Sequence, residues 1–547
     1  MDNPSGQTSG PSTTTDVSDE EQVLSNALVI GLCGRAGAGV TFVAKALANK
    51  LRGYGYEPVI IDATKIALGK VSTSEDQNNQ FKDLADKLKK LNTPEKAAEF
   101  GDELGRLLLK KMVDEGLKAD ARKVVILDGL VSRMETKYLK QVLGSCFWLV
   151  GVVAHTARRR TRLMSRKEVD ENLLGMIEKS HVQKEVTDLI ASADYFFGND
   201  YLQETRISPE AERFLRLVFG SFIETPRIEE YGMHMARTAS YSSACLSRQV
   251  GAAIISAEGR LLATGTNDVP RYGGGLYRTE HANDQRCFTS LGFCENDRRK
   301  HELAKNVAQT LMEAQLVVKE INNPAALAEV DSQGISDNAD IGTNNAGACS
   351  KESPATNTNS DVQERVIKVL LEQSRLKDII EFSRAVHAEM DAIVAVARGA
   401  VSGIVGSTMY VTTYPCHNCA KHIIDAGIRR IVYIEPYRKS LASELHSDTI
   451  SEERDEQGGD ECSSHLAHCS KVVHFEIYRG VSPSRYMSLF NSAEERKDKN
   501  GSMCRKKSEK PHEQKPRFAV SIKDLKQRLQ IFTTESSPNS HTSVPAG

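Results

Sequence analysis

No run of about 18 apolar residues occurs in the 547-residue chain, so nothing in it reads as a membrane-spanning helix. Its first residues, MDNPSGQTSGPSTTTDVSDEEQ, lack the charged-then-apolar layout of a secretory signal. Both absences predict a cytoplasmic protein that does not use a membrane. Stacking rings are scarce, with one Trp and 6% aromatics, and Lys+Arg 71 against Asp+Glu 73 leaves a formal net charge of -2. A binder of long nucleic acid needs a basic field and aromatic platforms, and this composition supplies neither in excess. Local arginine clusters still leave room for small anions. The 11 cysteines, in a reducing compartment, read as buried thiols or metal ligands rather than as a disulfide framework. No internal repeat is present.

Residues 1–24 are polar and rich in Ser, Thr and Gly, too poor in apolar groups to offset the cost of ordering, which predicts a disordered leader. Order is expected to begin near Ala27 with a strand (Leu28 to Cys33), a glycine-rich turn, a helix (about Thr41 to Arg52) and a second strand (Pro58 to Asp62). Apolar runs at Val124 to Leu127 and Cys146 to Val153, with a short strand in Ala193 to Asp200, complete an α/β domain over about 25–205. Ser208-Pro209-Glu210 reads as the cap of a helix leading onward. A second α/β domain is expected over 225–492. It opens with a helix at Glu229 to Ser243 and a hairpin, Val250 to Ser256 and Arg260 to Gly265 around Ala257-Glu258-Gly259. A strand, Met409 to Tyr414, and another, Ile431 to Glu435, follow. An insertion of about 276–381 holds two helix-like stretches around a Ser/Asn/Gly-rich segment, Asp331 to Asp361, and a further loop spans Ser447 to Ser470. Residues 493–547 read as a flexible tail with one weak amphipathic helix near Val520 to Ile531.

The chemistry concentrates in His387-Ala388-Glu389 and Pro415-Cys416-His417-Asn418-Cys419. A hydrolytic Zn2+ site needs three protein ligands and an open fourth position for water. His387, Cys416 and Cys419 fit the ligand roles, and Glu389, two residues past the histidine, fits the acid/base role beside the metal. His387 and Glu389 open one helical pattern and Cys416 another, and helix N-termini favour thiolates. A structural zinc knuckle or a redox pair is the bland reading of Cys416 and Cys419 alone, and the intervening H-A-E, helix and strand weigh against it. Cys462, His465, His468, Cys469 and His474, or His281, Cys287, Cys294 and His301, could hold a second metal, but their irregular spacing in polar segments favours chance.

These motifs resemble the cytidine and deoxycytidylate deaminase family, whose fold is an α/β/α sandwich. Ala236, Ser243-x-Cys245, Arg248 to Ala252, Ala263-Thr264-Gly265-x-Asn267 and Pro270 resemble its opening helix and hairpin. Gly480-Val481, Pro483 and Tyr486 resemble its closing strand and helix. By that resemblance Asn267 binds the substrate sugar. The insertions depart from the pattern.

Upstream, Gly34-Arg35-Ala36-Gly37-Ala38-Gly39-Val40-Thr41 follows a strand and opens a helix, the setting in which backbone N–H groups cradle phosphates. The glycine spacing is that of a P-loop, with Val40 where the motif has Lys, so the point charge on the terminal phosphates is missing. Binding of ATP or another nucleotide would rest on the loop backbone and Thr41, and Asp128, at the end of an apolar strand, would hold Mg2+ as a Walker B acid. Arg158, Arg159, Arg160, Arg162 and Arg166 resemble the basic lid of nucleotide kinases, a source of replacement charge. The alternative is a retired kinase fold serving as scaffold, with the arginines on a solvated face.

A P-loop nucleotide-kinase-like domain ahead of an HAE/PCxxC deaminase resembles the bacterial anti-phage dCTP deaminases over about 25–492. That resemblance implies conversion of dCTP to dUTP, and of dCMP to dUMP, draining the deoxycytidine nucleotide pool in antiviral defence. It also implies a homo-oligomer and, in some relatives, a regulatory small RNA. A housekeeping dCMP deaminase is the nearest competing reading. A nucleic-acid cytosine base editor and a nucleotide-switched binding protein with a vestigial site are the readings of other classes, the last disfavoured by an intact Glu389.

Overall fold

Largely apolar runs of four to seven residues build the first sheet. The computed structural model describes residues 24–71, 94–119, 121–165, 170–220, 223–317, 359–436, 440–452, 472–491, 497, 499–502 and 515–534. Strands β1 (Leu28–Gly34), β2 (Glu57–Asp62), β3 (Lys123–Asp128), β4 (Phe147–Val153) and β5 (Tyr195–Gly198) are mutually parallel, in the order β5-β4-β1-β3-β2. Side chains alternate between faces, as a pleated strand requires. Val29, Val125, Phe147 and Leu149 pack with helices Pro94–Asp114, Arg133–Leu143 and His181–Ala191. Leu28, Ile30, Ile126 and Trp148 pack with helices Val40–Gly53 and Glu204–Phe219.

The helix expected to be capped at Ser208 begins four residues earlier, at Glu204, with Pro209 inside it. The carbonyl of Gln203 already accepts from the N–H groups of Arg206 (3.2 Å) and Ile207 (3.1 Å), so the first turn is closed before Ser208 is reached. Phe214, Leu215 and Val218 of this helix lie in the first domain's core, which therefore extends past the boundary expected at 205.

The second sheet has the order β10-β11-β9-β8-β6-β7, built from β6 (Gly251–Ile255), β7 (Leu261–Thr266), β8 (Thr408–Thr413), β9 (Arg430–Glu435), β10 (Ile450–Ser451) and β11 (Val473–Ile477). The β6–β7 hairpin is antiparallel and β8, β9 and β11 run parallel. Helix Ala388–Arg398 covers one face with His417–Asp425, and helix Ile228–Ser240 covers the other. Helices Glu295–Glu313 and Asn359–Gln373 of the insertion pack on each other, and Ala304 and Ala308 are fully buried.

The two domains share structure. Strand β12 (Gly480–Val481) leaves the second domain and pairs antiparallel with β5, becoming the edge of the first sheet. Glu230, fully buried, receives both Arg213 guanidinium nitrogens at 2.8 Å and the N–H groups of Arg227 (2.7 Å) and Val481 (2.9 Å). Met233, Ala253, Tyr410 and Val432 of the second domain belong to the same continuous core as Val29, Leu139 and Leu189 of the first. The tail is not uniformly flexible either. Helix Ile522–Thr534 packs against Arg133–Leu143 with Leu525 fully buried, and Ser25 N–H donates to the Val520 carbonyl at 2.8 Å. Its apolar spacing, weak as a signal, serves packing on helices Pro94–Asp114 and Arg133–Leu143 of the first domain. The leader 1–23, most of the segment 331–361, Arg166, and Cys462, His465, His468 and Cys469 lie outside the described residues.

Candidate zinc centre and glycine-loop site

Two helices deliver the candidate metal-binding side chains from their first residues. His387 is the N-cap of Ala388–Arg398 and Cys416 the N-cap of His417–Asp425, each in extended backbone. The helix carrying His387 lies hard against β7 because Gly265 has no side chain, and a Cβ there would stand 2.1 Å from the Ala388 carbonyl oxygen. Asp391 then accepts from Thr266 N–H at 3.1 Å, and Val386 N–H donates to the Asp268 carbonyl at 2.9 Å, so register along the helix is fixed just before His387.

His387 Nδ1 lies 3.3 Å from the sulfur of Cys416 and 3.3 Å from that of Cys419. Among the described residues these three form the one group of potential ligands whose donor atoms lie together, all within 4.8 Å. Tetrahedral zinc with its usual bond lengths separates N and S donors by about 3.6 Å, so the set fits the ion with small adjustment. Cys416 is held far below the ordinary thiol range, first by its hydrogen bond with Cys419, while that bond and burial push Cys419 up. His387 is raised to about 9, chiefly by its bond with Cys416. An N, S, S donor set with an ionised sulfur matches what zinc selects.

Glu389 is 4% exposed and pushed up to about 7, mainly by burial, with the charge of His387 opposing. A carboxyl that titrates near neutrality beside a metal site is suited to take and return a proton. Glu381 is a neighbour that the sequence did not single out. It lies 3.6 Å from His417 Nε2 and bonds the Asn418 side chain, so it bears on the cysteine turn from outside. Nothing in its local sequence distinguishes it from a surface acid.

Asn267, expected at the sugar, has its carboxamide tied at both ends to the main chain. Its Oδ1 accepts from Val250 N–H (2.7 Å) and its Nδ2 donates to the Arg248 carbonyl (2.7 Å). Each end retains one further bonding direction, so a ligand contact by Asn267 would share an atom with these bonds. In the first insertion, His281 Nδ1 pairs with the backbone of Arg278 and Cys294 Sγ lies against Ser247 Oγ, separate uses that do not assemble a second metal site.

At the glycine loop, Gly37 and Gly39 take φ of +80° and +82°, and helix Val40–Gly53 starts at Gly39 without a side-chain cap. Its first N–H groups are thereby left toward the loop, as phosphate binding requires. Thr41 donates to Asp128, whose carboxyl is raised by burial, and Asp62 stands beside it at the end of β2. Two of the described arginines contact the loop itself. Arg159, 2% exposed, donates to the Ala36 carbonyl (3.1 Å), and Arg162 donates to the carbonyls of Gly37 (3.1 Å) and Asn199 (2.8 Å). With Asn199 donating to Ala38 (2.8 Å), they brace the loop from its carbonyl side. Arg158 lies over the Tyr201 ring and Arg160 pairs with Glu171.

Residues 298–435, which carry His387, Glu389, Cys416 and Cys419, match the model of the cytidine and deoxycytidylate deaminase zinc-binding region. Over 55 residues the chain is 51% identical to the deoxycytidylate deaminases of Enterobacteria phages T2 and T4, covering 10% of this chain and 29% and 28% of those relatives. It is 45% identical over 56 residues to ComE operon protein 2 of Bacillus subtilis (strain 168), covering 10% of this chain and 29% of that protein. The chain thus spans well under half the length of these relatives. Among solved structures, a dCMP deaminase from cyanophage S-TIM5 is similar at 16% identity and TM-score 0.20, covering 46% of this chain and 99% of that one. A shikimate kinase from Bacteroides thetaiotaomicron is similar at 19% identity and TM-score 0.23, covering 35% and 97%. No helix of the described residues is long and apolar enough to cross a membrane.

Proposed function

We propose that this chain hydrolyses the exocyclic amine of deoxycytidine nucleotides, dCTP to dUTP and dCMP to dUMP, and thereby drains the deoxycytidine nucleotide pool in antiviral defence. The observation that carries the reaction class is Glu389, buried beside a His387, Cys416, Cys419 donor set within the segment matched to the deaminase zinc-binding region. Zinc held by those three residues would lower the pKa of a water ligand from about 16 to about 7. Replacement of the amine needs a water oxygen at ring C4, a proton at N3, and a proton on the departing nitrogen. Glu389 takes one proton from the water and places it on N3, then takes the second from the new C4 hydroxyl and gives it to the amine, which leaves as ammonia as the C4 carbonyl forms. Burial serves this role because it lifts the carboxyl toward the pH at which it both accepts and donates.

The glycine loop, whose helix starts at Gly39 without a side-chain cap and whose Thr41 bonds Asp128, supports a nucleotide held, with Mg2+ at Asp128, without efficient phosphoryl transfer, since Val40 carries no charge to the terminal phosphates. A dCMP-only housekeeping deaminase is the second reading, favoured by the relatives being deoxycytidylate deaminases. Purified protein offered dCTP, dCMP, CTP and single-stranded DNA, with ammonia release followed, separates the readings. Release from dCTP supports pool depletion. Release from dCMP alone selects the housekeeping reading, and release from DNA alone overturns both.

A further inference from the structure

One helix, His181–Ala191, packs on both sheets and so links the glycine loop with the strand beside the cysteine turn. Arg159 donates to the Ala36 carbonyl at 3.1 Å, and Ala36 N–H donates to Gln183 Oε1 at 3.1 Å. Gln183 lies on helix His181–Ala191, which packs against β1 below the loop and against β9 of the second sheet. On β9 stands Tyr433, 8% exposed, whose hydroxyl lies in the fields of Arg35 from the loop, of Arg159 from the helix that braces it, and of Glu452 from the second domain. Its ring meets Tyr414 edge-on, with centroids 4.9 Å apart at 85°. Tyr414 is two residues ahead of Cys416. Its hydroxyl donates to Glu452 Oε1 at 2.9 Å, its N–H donates to the Glu435 carbonyl at 2.7 Å, and its ring leans on Phe475 at 5.3 Å. Ser440 Oγ donates to the Pro415 carbonyl at 2.7 Å, closing the turn on its far side.

From Ala36 the contacts run to Arg159 and, through Gln183, to the helix that packs on β9; from Tyr433 on β9 they run through Tyr414 to the Cys416 turn. Buried packing of this kind has few ways to adjust and switches between arrangements more readily than it bends. Arg35 and Arg159 are two like charges brought close together at the loop end of these contacts. A phosphate chain on the loop would place negative charge beside them and weaken their pull on the Tyr433 hydroxyl.

We infer that a nucleoside triphosphate with Mg2+ on the glycine loop resets the geometry of the Pro415-Cys416 turn through Arg159, Tyr433 and Tyr414, so that the first domain regulates the zinc centre. Tyr433 is a positioning residue in this scheme and touches no reacting atom. The inference rests on the reading of Cys416 as a zinc ligand in a deaminase. Coupling between two binding sites is reciprocal, typically 5- to 150-fold.

The test uses full-length protein with Co2+ in place of Zn2+, because its visible bands report the geometry of the thiolate ligands independently of turnover. MgATP is titrated into wild type, Tyr433→Phe and Glu452→Gln, with binding followed by calorimetry, the bands by absorption, and deamination of dCMP and dCTP in parallel on the zinc protein. Wild type should bind MgATP, shift its bands and change its deamination rate at least about fivefold. Tyr433→Phe should keep MgATP affinity within about twofold while losing most of both responses. Glu452→Gln, which alters the same path at its other end, should lose them also and carries the test if Tyr433→Phe does not fold. No MgATP binding, binding with unchanged bands, or an undiminished response in both variants overturns the inference. A band response with no deamination of any substrate leaves the coupling standing and sinks the deaminase reading instead.

Discussion

At Glu389, burial and the proposed role pull in the same direction: the fold withholds water from the carboxyl, and the proposed deamination would use the proton affinity that results. Glu389→Gln preserves the side chain's size and removes the proton acceptor. It should lower turnover by about 10²- to 10⁴-fold with zinc content by mass spectrometry unchanged. Cys416→Ser should instead release the metal, seen as zinc substoichiometric to protein after gel filtration. These residues were legible from sequence because their placement is local: a ligand at a helix N-cap needs only the cap and the helix after it. Asn267 and the loop arginines were less so. A carboxamide or guanidinium bonds whatever backbone the tertiary fold brings near, and Arg159 finds the Ala36 carbonyl across a long stretch of chain.

Among the elements, helix Arg133–Leu143 shows how a cap stores pH dependence. Glu135, 1% exposed, closes a capping box with Ser132, and burial raises its carboxyl from 4.5 to about 7. The folded state therefore holds this proton more tightly than the unfolded chain. Its contribution is fully present below pH of about 4.5 and is lost as pH rises through about 7. Glu135→Gln keeps an oxygen for the cap N–H groups and removes the titration. The variant should gain up to about 3 kcal/mol on wild type between pH 5 and pH 8, read as a flatter dependence of melting temperature on pH. The strands were legible because buried parallel strands are continuous apolar runs. The start of helix Glu204–Phe219 was not, since Ser-Pro-Glu is a strong local cap signal that the burial of Ile207 and the turn at Gln203 override.

For the whole molecule, the joint is the part that sequence periodicity could not show. A two-residue strand has no period, and a buried Arg213–Glu230 pair is two charged letters among many. Removing one partner strands the other's charge. Glu230→Ala should cost about 3–5 kcal/mol, and because the core is continuous the loss should appear as earlier melting of the entire protein in calorimetry. Leu525→Ala tests the tail in the same way. Docked as a core residue, it should cost about 2–5 kcal/mol, whereas a free tail would leave the melting temperature unmoved.

The edge formed by β12 also bears on how the protein is made. A ribosome releases β1 to β5 long before Gly480-Val481 emerges, so the nascent first domain waits with the edge of β5 uncapped while the second sheet is still being synthesised. Until β12 arrives, that edge is open to pairing with another nascent chain. A chaperone that shields it, or slow elongation that exposes it longer, should therefore alter the yield of native protein without touching either site.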